Sequence, residues 1–242
     1  MRVELFMKLM LLSATIASIQ TVISERPLDN FSSLNGSDPI AWLNKADLLL
    51  NSGKYNESVV AYEKAIDLNQ SYAEAWGHKG SALRNLSRYF EAIEAYDKAI
   101  KLDPKWAMPW NGVGASLGDL GKYNESIIAY DNAIELDSKW AIPWYNKGNA
   151  LYHQGRYNES IECYTRAVEL DPKFYDAWNN KGFALYKLGF YEKAIICFEK
   201  AIEINHNFAK AWNNKGKALK LLGRNTDADA AYAKAKEIGN AV

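Results

Sequence analysis

The chain has 242 residues, and 48% of them are hydrophobic, so it can bury enough apolar surface to fold. Its 29 basic and 29 acidic residues cancel. This balance removes the electrostatic attraction on which nucleic-acid binding generally depends. Composition therefore favours a folded protein and argues against a nucleic-acid partner.

Residues 1–24 differ from everything that follows. Arg2 and Lys8 precede an apolar run over residues 9–19. A run of this length is typical of a signal peptide and falls short of the ~20 residues that span a bilayer. We therefore expect an exported protein, with cleavage after Ala17. The alternatives are that the segment is retained as a membrane anchor, with the protein facing outside, or that it is a helix of a cytoplasmic protein.

A linker and then a repeated unit make up the rest of the chain. Residues 25–38 are rich in Pro, Asn, Ser and Gly, which predicts a linker. After it, tryptophan recurs every 34 residues, at Trp42, Trp76, Trp110, Trp144, Trp178 and Trp212. A fixed period of this length indicates a solenoid. The six units cover residues 39–72, 73–106, 107–140, 141–174, 175–208 and 209–242.

Each unit has the pattern of two helices, and the fourth shows it clearly. Apolar or small residues at helical spacing over residues 142–154 predict a first helix that stops at Gly155. The second helix is predicted to begin near Asn158 and to end at Asp171-Pro172. Its inward stripe is Tyr157, Ser160, Ile161, Tyr164, Ala167 and Val168.

The motif W-x2-[KV]-G-x2-L-x3-G-x-Y-x2-[AS]-x3-Y-x2-A-x4-P recurs in phase through the six units. This motif resembles the tetratricopeptide repeat, and the resemblance covers 204 of the 242 residues. It implies an all-α, right-handed superhelical α-solenoid of six helix-turn-helix repeats. One departure is lysine where the family usually has leucine, at Lys45, Lys79, Lys147, Lys181 and Lys215. We expect the lysine stem to pack in place of leucine while the ammonium reaches water.

Small residues and a polar last unit complete the predicted packing. Glycines such as Gly148 on the first helix lie opposite alanines such as Ala167 on the second, which lets the two helices approach. In the last unit, Asp229 and Lys236 stand where the other units have Val or Ile. A polar outer face is what a terminal repeat requires, so we expect the array to end at residue 242.

No arrangement of residues predicts catalysis. His78, His153 and His206 lie in different units without partners at triad or metal-site spacing, and we expect them to be exposed. Cys163 and Cys197 occupy equivalent places on helices that should lie roughly 8–10 Å apart, too far for a disulfide. We predict free, buried thiols, no cofactor, no metal and no enzymatic activity.

The predicted site lies on the concave surface, which first helices line in such an array. Two residues after four of the six tryptophans come asparagines, at Asn44, Asn146, Asn180 and Asn214. A side-chain amide both donates and accepts. Resemblance to tetratricopeptide superhelices with an asparagine ladder implies that this row bonds to the backbone of an extended peptide. The alternative is that the asparagines serve helix packing.

Further residues extend the predicted site beside that row. The aromatic ones are Tyr145, Tyr152, Phe183 and Tyr186, and the basic ones are Lys187, Lys210, Lys217 and Lys220. Asn149, Asn180 and Lys210 also match the carboxylate clamp of chaperone-binding members of the family. Tyr145 and Asn214 stand where that clamp needs lysine and arginine.

These observations predict a non-catalytic scaffold that binds a peptide or a partner protein on the concave surface. The alternative is a membrane-tethered assembly or docking subunit of an enzyme complex, attached through residues 1–24.

Overall fold

A computed structural model describes residues 37–240, so the expected signal segment and nearly all of the linker lie outside the described residues. The described part of the chain forms twelve α-helices and no strand. The first helices of the six repeats are α1 (Pro39–Asn51), α3 (Ala73–Asn85), α5 (Ala107–Asp119), α7 (Ala141–His153), α9 (Tyr175–Lys187) and α11 (Ala209–Leu221). The second helices are α2 (Tyr55–Leu68), α4 (Tyr89–Leu102), α6 (Tyr123–Leu136), α8 (Tyr157–Leu170), α10 (Tyr191–Ile204) and α12 (Asn225–Asn240).

The helices stack in chain order. Each helix packs most closely against the helices that precede and follow it in sequence. Each first helix also contacts the first helix of the next repeat, from α1 to α11. The first helices are therefore drawn together along one side, which makes that side the concave surface. The prediction of an all-α solenoid of six helix pairs is confirmed.

A residue in the left-handed region links the two helices of most repeats. Gly155 has a φ of 76°, as predicted from its place after the first helix. The equivalent glycines Gly53, Gly121, Gly189 and Gly223 have φ between 74° and 82°. In the second repeat Ser87 takes this conformation instead, with a φ of 58°. The glycines avoid the Cβ strain that a serine bears there.

The second helix starts and stops differently from the sequence prediction. Helix α8 begins at Tyr157 with no side-chain cap, and Asn158 is an exposed residue of its first turn. The helix therefore begins near Asn158, as predicted, but no side chain caps its start. At the other end, Asp171 Oδ1 accepts a hydrogen bond from the backbone N–H of Lys173 at 3.0 Å. The same turn occurs at Asn69, Asp103, Asp137 and Asn205, so it does not require the proline that follows Asp171.

In the second to sixth repeats, a glycine of the first helix lies against an aromatic ring of the second. A Cβ placed on Gly148 would lie 2.7 Å from the ring of Tyr164. The equivalent distances at Gly80, Gly114, Gly182 and Gly216 are 2.6–2.7 Å. The glycines therefore face these rings, and not the alanines that the sequence paired with them. Those alanines, including Ala167, are fully buried nearby.

The remaining packing predictions are confirmed. Ser160, Tyr164, Ala167 and Val168 are buried along the inward stripe of α8. Asp229 and Lys236 are exposed on the outer face of α12. Their equivalents in the fifth repeat, Ile195 and Ile202, are buried at 6% and 8% exposure.

The lysines that replace leucine do more than the sequence predicted. Lys79 Nζ lies 2.9 Å from a carboxylate oxygen of Glu63 in the preceding repeat. Lys147 pairs in the same way with Asp131, and Lys215 pairs with Glu199. The ammonium of Lys79 also lies 5.4 Å from the ring centroid of Trp76, within cation–π range. The ammonium group therefore contacts two protein groups and does not simply reach water.

We predict opposite effects for two alanine substitutions in α5. A Cβ on Gly112 would lie 2.3 Å from the Tyr96 ring, so Gly112→Ala should lower the free energy of unfolding by roughly 1–3 kcal/mol. A Cβ on Gly118 would meet Ser126 Oγ at an ordinary 3.4 Å. Gly118→Ala should therefore stabilise the protein by up to about 1 kcal/mol through helix propensity. Urea denaturation of both variants measures the difference, and equal effects would contradict it.

Candidate functional site

The concave surface is lined by the groove-facing positions of the six first helices. Three of the four predicted asparagines in this row are half-buried there, and Asn44 is exposed on α1. Asn146 Nδ2 donates to Asn111 Oδ1 of the preceding first helix at 3.0 Å. Asn214 Nδ2 donates to Asn179 Oδ1 in the same way, also at 3.0 Å. These amides join successive repeats.

Asn180 makes the densest set of hydrogen bonds in this row. Its Nδ2 donates to Asn149 Oδ1 at 2.9 Å and to Tyr145 Oη at 3.1 Å. Its Oδ1 accepts from Asn179 at 3.1 Å, and Asn149 Oδ1 also accepts from Tyr164 Oη at 2.7 Å. Burial raises the pKa of both tyrosines, so their hydroxyls stay neutral donors. Both N–H groups of Asn180 are therefore used inside the protein, which supports the packing role that the sequence left open.

A cleft of about 540 Å³ lies on the concave surface between α3, α5, α6, α7 and α9. Two of the α5 residues that line it, Ala115 and Gly118, are small and leave its centre open, whereas Gly112 is buried against the Tyr96 ring. Asn111, Asn146, Ser126 and Tyr130 also line the cleft. The sequence prediction missed this cleft. The signal was the run of small residues on α5 where the fourth and fifth repeats have Asn, Phe or Tyr.

An ion pair borders the cleft on its N-terminal side. Arg84 Nε donates to Asp119 Oδ2 at 2.9 Å, and this contact joins α3 to α5. Both side chains line the cleft. The arginine charge is thus neutralised where a ligand would meet it.

A continuous row of rings lies beside the cleft, and we call it the aromatic ledge. Its members, in contact order, are Tyr123, His153, Tyr152, Phe183, Tyr186 and Tyr191. Neighbouring ring centroids along it are 5.2–5.9 Å apart. Tyr152, Phe183 and Tyr186, three residues of the predicted aromatic patch, lie together here. The fourth, Tyr145, packs instead on Tyr164 and Phe174 beneath the asparagines.

The predicted basic residues lie at the C-terminal end of the groove. Lys210, Lys217 and Lys220 are exposed on α11, and Lys187 is exposed at the end of α9. The ammonium of Lys187 is 5.5 Å from the centroid of the Phe183 ring. The basic end therefore adjoins the aromatic ledge.

The N-terminal end of the groove holds a polar cluster that the sequence did not reveal. Asp47 Oδ1 accepts from Tyr62 Oη at 2.6 Å and lies 2.9 Å from Nδ1 of His78. His78 is half-buried against the rings of Tyr62 and Trp106, so the prediction that it is exposed was wrong. His153 and His206 are exposed as expected. The cluster joins α1, α2 and α3.

Neither cysteine lies in a reactive setting. Cys163 and Cys197 are both buried, as predicted. Burial raises the pKa of the Cys163 thiol to about 11, so the thiol remains protonated at neutral pH. Within residues 37–240, no group of three or more His, Cys, Asp or Glu side chains is placed to hold a metal ion.

Family models match most of the chain. Two models described as tetratricopeptide repeat match residues 43–105 and 175–208. A model described as TPR repeat matches residues 114–155 and 148–189, and another tetratricopeptide repeat model matches residues 197–230. The chain belongs to the tetratricopeptide repeat family. Tetratricopeptide repeats are generally protein-interaction modules.

Solved structures of other tetratricopeptide repeat proteins share this architecture. A crystal structure of MamA is 28% identical, with a TM-score of 0.62, and the match covers 66% of this chain and 94% of that one. The crystal structure of YrrB, described as a TPR protein with an unusual peptide-binding site, is 24% identical and has a TM-score of 0.57. The match covers 77% of this chain and 96% of YrrB. The APC/C hetero-tetramer Cut9–Hcn1 is 17% identical with a TM-score of 0.75 and coverage of 87% and 42%.

Two other comparisons are negative. A search of curated protein sequences gives no match. Between residues 37 and 240, no helix has both the length and the apolar character needed to cross a membrane.

We predict that Asn180→Ala destabilises this tetratricopeptide repeat array. The substitution removes the donor to Asn149 and Tyr145, so the free energy of unfolding should fall by roughly 1–3 kcal/mol. The matched variant Asn44→Ala changes an exposed side chain in the same row and should shift it by less than about 0.5 kcal/mol. Thermal or urea denaturation measures both. An Asn180→Ala variant as stable as the parent protein would contradict a packing role.

Proposed function

We propose that this protein is a non-catalytic scaffold that binds an extended peptide or a peptide-like segment of a partner protein along its concave surface. The observation that carries the proposal is the cleft over α5, which is open, polar and lined by amide and hydroxyl groups from three first helices and α6. An extended backbone presents alternating N–H and C=O groups that such a surface can match. The family to which the chain belongs, and the peptide-binding site named for YrrB, support the same class of ligand.

We infer different roles for the predicted site residues from their hydrogen bonds and exposure. Asn146 and Asn214 each use one N–H inside the protein and keep a second N–H for a ligand. Asn180 uses both, so it holds the groove in shape. Tyr152, Phe183 and Tyr186 supply a half-buried ring surface of the kind that anchors ligands. Asn44, Lys210 and Lys217 are exposed and belong to the proposed contact surface.

Filling the cleft tests this proposal. Peptides would be selected from a random display library on the full chain, and their affinities measured for two tryptophan variants. Ala115→Trp places a ring over the cleft floor and should weaken binding by about tenfold or more. Ala230→Trp makes the same change at an exposed position of α12 and should leave binding unchanged.

Two outcomes of the selection would contradict the proposal that the groove is the binding surface. Peptides that bind equally to the parent protein and to Ala115→Trp would place the binding surface elsewhere. A library that yields no binder would remove the proposed function. Circular dichroism of each variant shows whether the helices are intact.

Export remains a prediction from residues 1–24, which lie outside the described residues. We expect the mature protein to begin after Ala17, and sequencing its N-terminus from the native source would measure this. A mature protein that retains residues 1–17 would favour the membrane-anchored or the cytoplasmic alternative.

A further inference from the structure

We propose that the C-terminal half of the groove selects an acidic segment from within a peptide, with an aromatic side chain seated on the aromatic ledge. This inference rests on the proposed function and names the chemistry of its ligand. The carboxylates of the peptide lie on α11, and its ring lies on α7 and α9.

The lysines of α11 form one face that points into the groove. Lys210, Lys217 and Lys220 are separated by seven and three residues, which places them on one side of a helix. Asn214 lies between them on that side and donates to Asn179 of α9, which fixes the direction of the face. All three lysines are exposed at the end of the groove.

These lysines lack the carboxylate partners that neighbouring cations have. Lys200 on α10, Lys234 on α12 and Arg224 just before α12 each pair with a carboxylate three residues ahead at 2.7–2.8 Å. Within residues 37–240, neither Lys217 nor Lys220 forms an ion pair with a carboxylate. Burial raises the pKa of the Asp176 carboxyl group on α9, and the positive charge of Lys210 opposes part of this rise. Lys217 and Lys220, two or more turns farther along α11, therefore carry the attraction for an external anion.

Charge is distributed along the groove in one direction. Its N-terminal end carries Asp47 and Glu74, and its middle is neutral because Arg84 is paired with Asp119. Its C-terminal end carries the three lysines of α11, which outnumber the nearby carboxylate of Asp176 on α9. A ligand with its negative charge at one end is thereby held in one orientation, because opposite charges attract and like charges repel at the two ends.

The amide network favours internal acidic residues over a peptide C-terminus. A terminal carboxylate bound at Asn180 would compete for N–H groups that already donate to Asn149 and Tyr145. Asn214 is likewise engaged, because its Nδ2 donates to Asn179. Side-chain carboxylates reach Lys217 and Lys220 without breaking these bonds.

A peptide is favoured over a single-stranded nucleic acid, although both combine negative charge with planar groups. The free cations of the groove are confined to one helix and the end of another, and the whole chain has no net charge. A nucleic acid requires a basic surface along its backbone. The neutral middle of the groove does not supply one.

The geometry also sets the spacing within the ligand. The groove-lining helices α9 and α11 are in contact, so their axes lie roughly 8–10 Å apart. An extended chain covers this distance in about three residues. The acidic residues and the aromatic residue should therefore be separated by about three positions.

The test uses defined probes on the full chain, with fluorescence anisotropy as the measurement. The probe is a labelled peptide of about nine residues, blocked at both ends, with two glutamates about three positions from a tryptophan in a Gly/Ser background. Comparison probes replace both glutamates by glutamine or the tryptophan by alanine, and a further probe is oligothymidylate of about ten nucleotides. Each change to the peptide should weaken binding by about tenfold or more.

Charge reversal on the protein completes the test. Lys217→Glu combined with Lys220→Glu should weaken the glutamate peptide by about tenfold or more. Lys98→Glu combined with Lys101→Glu makes the same net change at the same spacing on α4, and it should shift affinity by less than about twofold.

The proposal is overturned if the glutamine peptide binds as tightly, if the α11 variant keeps its affinity, or if oligothymidylate binds more tightly than the glutamate peptide. It is also overturned if the glutamate peptide fails to bind. If library peptides nevertheless bind the parent protein and bind the Ala115→Trp variant more weakly, the proposed function holds. Only the assignment of an acidic, aromatic ligand is then wrong.

Discussion

The contact on which this structure depends is the packing of an aromatic ring against a glycine in the second to sixth helical hairpins; the first hairpin has Ala46 at this position. Gly148 and Tyr164 show its geometry: a Cβ on the glycine would fall 2.7 Å from the ring, so a larger residue there would displace the ring or the helix. The buried ring then fills the space between the helices along with Ala167. Because five repeats keep this contact, their hairpins have nearly the same angle and can stack with a constant offset. That regularity makes the first helices line one continuous groove.

Stacking converts polar side chains of the groove into structural ones. Asn146, Asn180 and Asn214 each bond to the first helix of the preceding repeat, so the amide row holds neighbouring repeats in register. A half-buried amide without a partner would be costly, and the network removes that cost. The floor of the groove is therefore rigid, and many of its amide N–H groups are already used in hydrogen bonds within the protein. Discrimination between ligands is left to the aromatic ledge and to the lysines of α11.

The chain has no net charge, but its charged side chains are not evenly distributed over the structure. Lys79, Lys147 and Lys215 pair with carboxylates of the preceding repeat, so these charges join repeats and leave little net field. Arg84 and Asp119 do the same at the cleft. The remaining charges of the groove are mainly acidic at its N-terminal end and mainly basic at its C-terminal end. A net charge of zero thus excludes a uniformly basic surface, but it does not exclude a basic end.

The sequence by itself determined the period, the two helices of each repeat, the left-handed glycine at Gly155 and the polar outer face of α12. All of these follow from residues close together in the chain, whose spacing is set by helix geometry. Only the tertiary structure decided the contact of Asp47 with His78, the bonds of Asn180 and the cleft over α5. The first two join side chains about one repeat apart, and the cleft lies between helices of four successive repeats. Whether such groups meet depends on the angle and offset between stacked hairpins, and these are set by the packing of buried rings that no local spacing encodes.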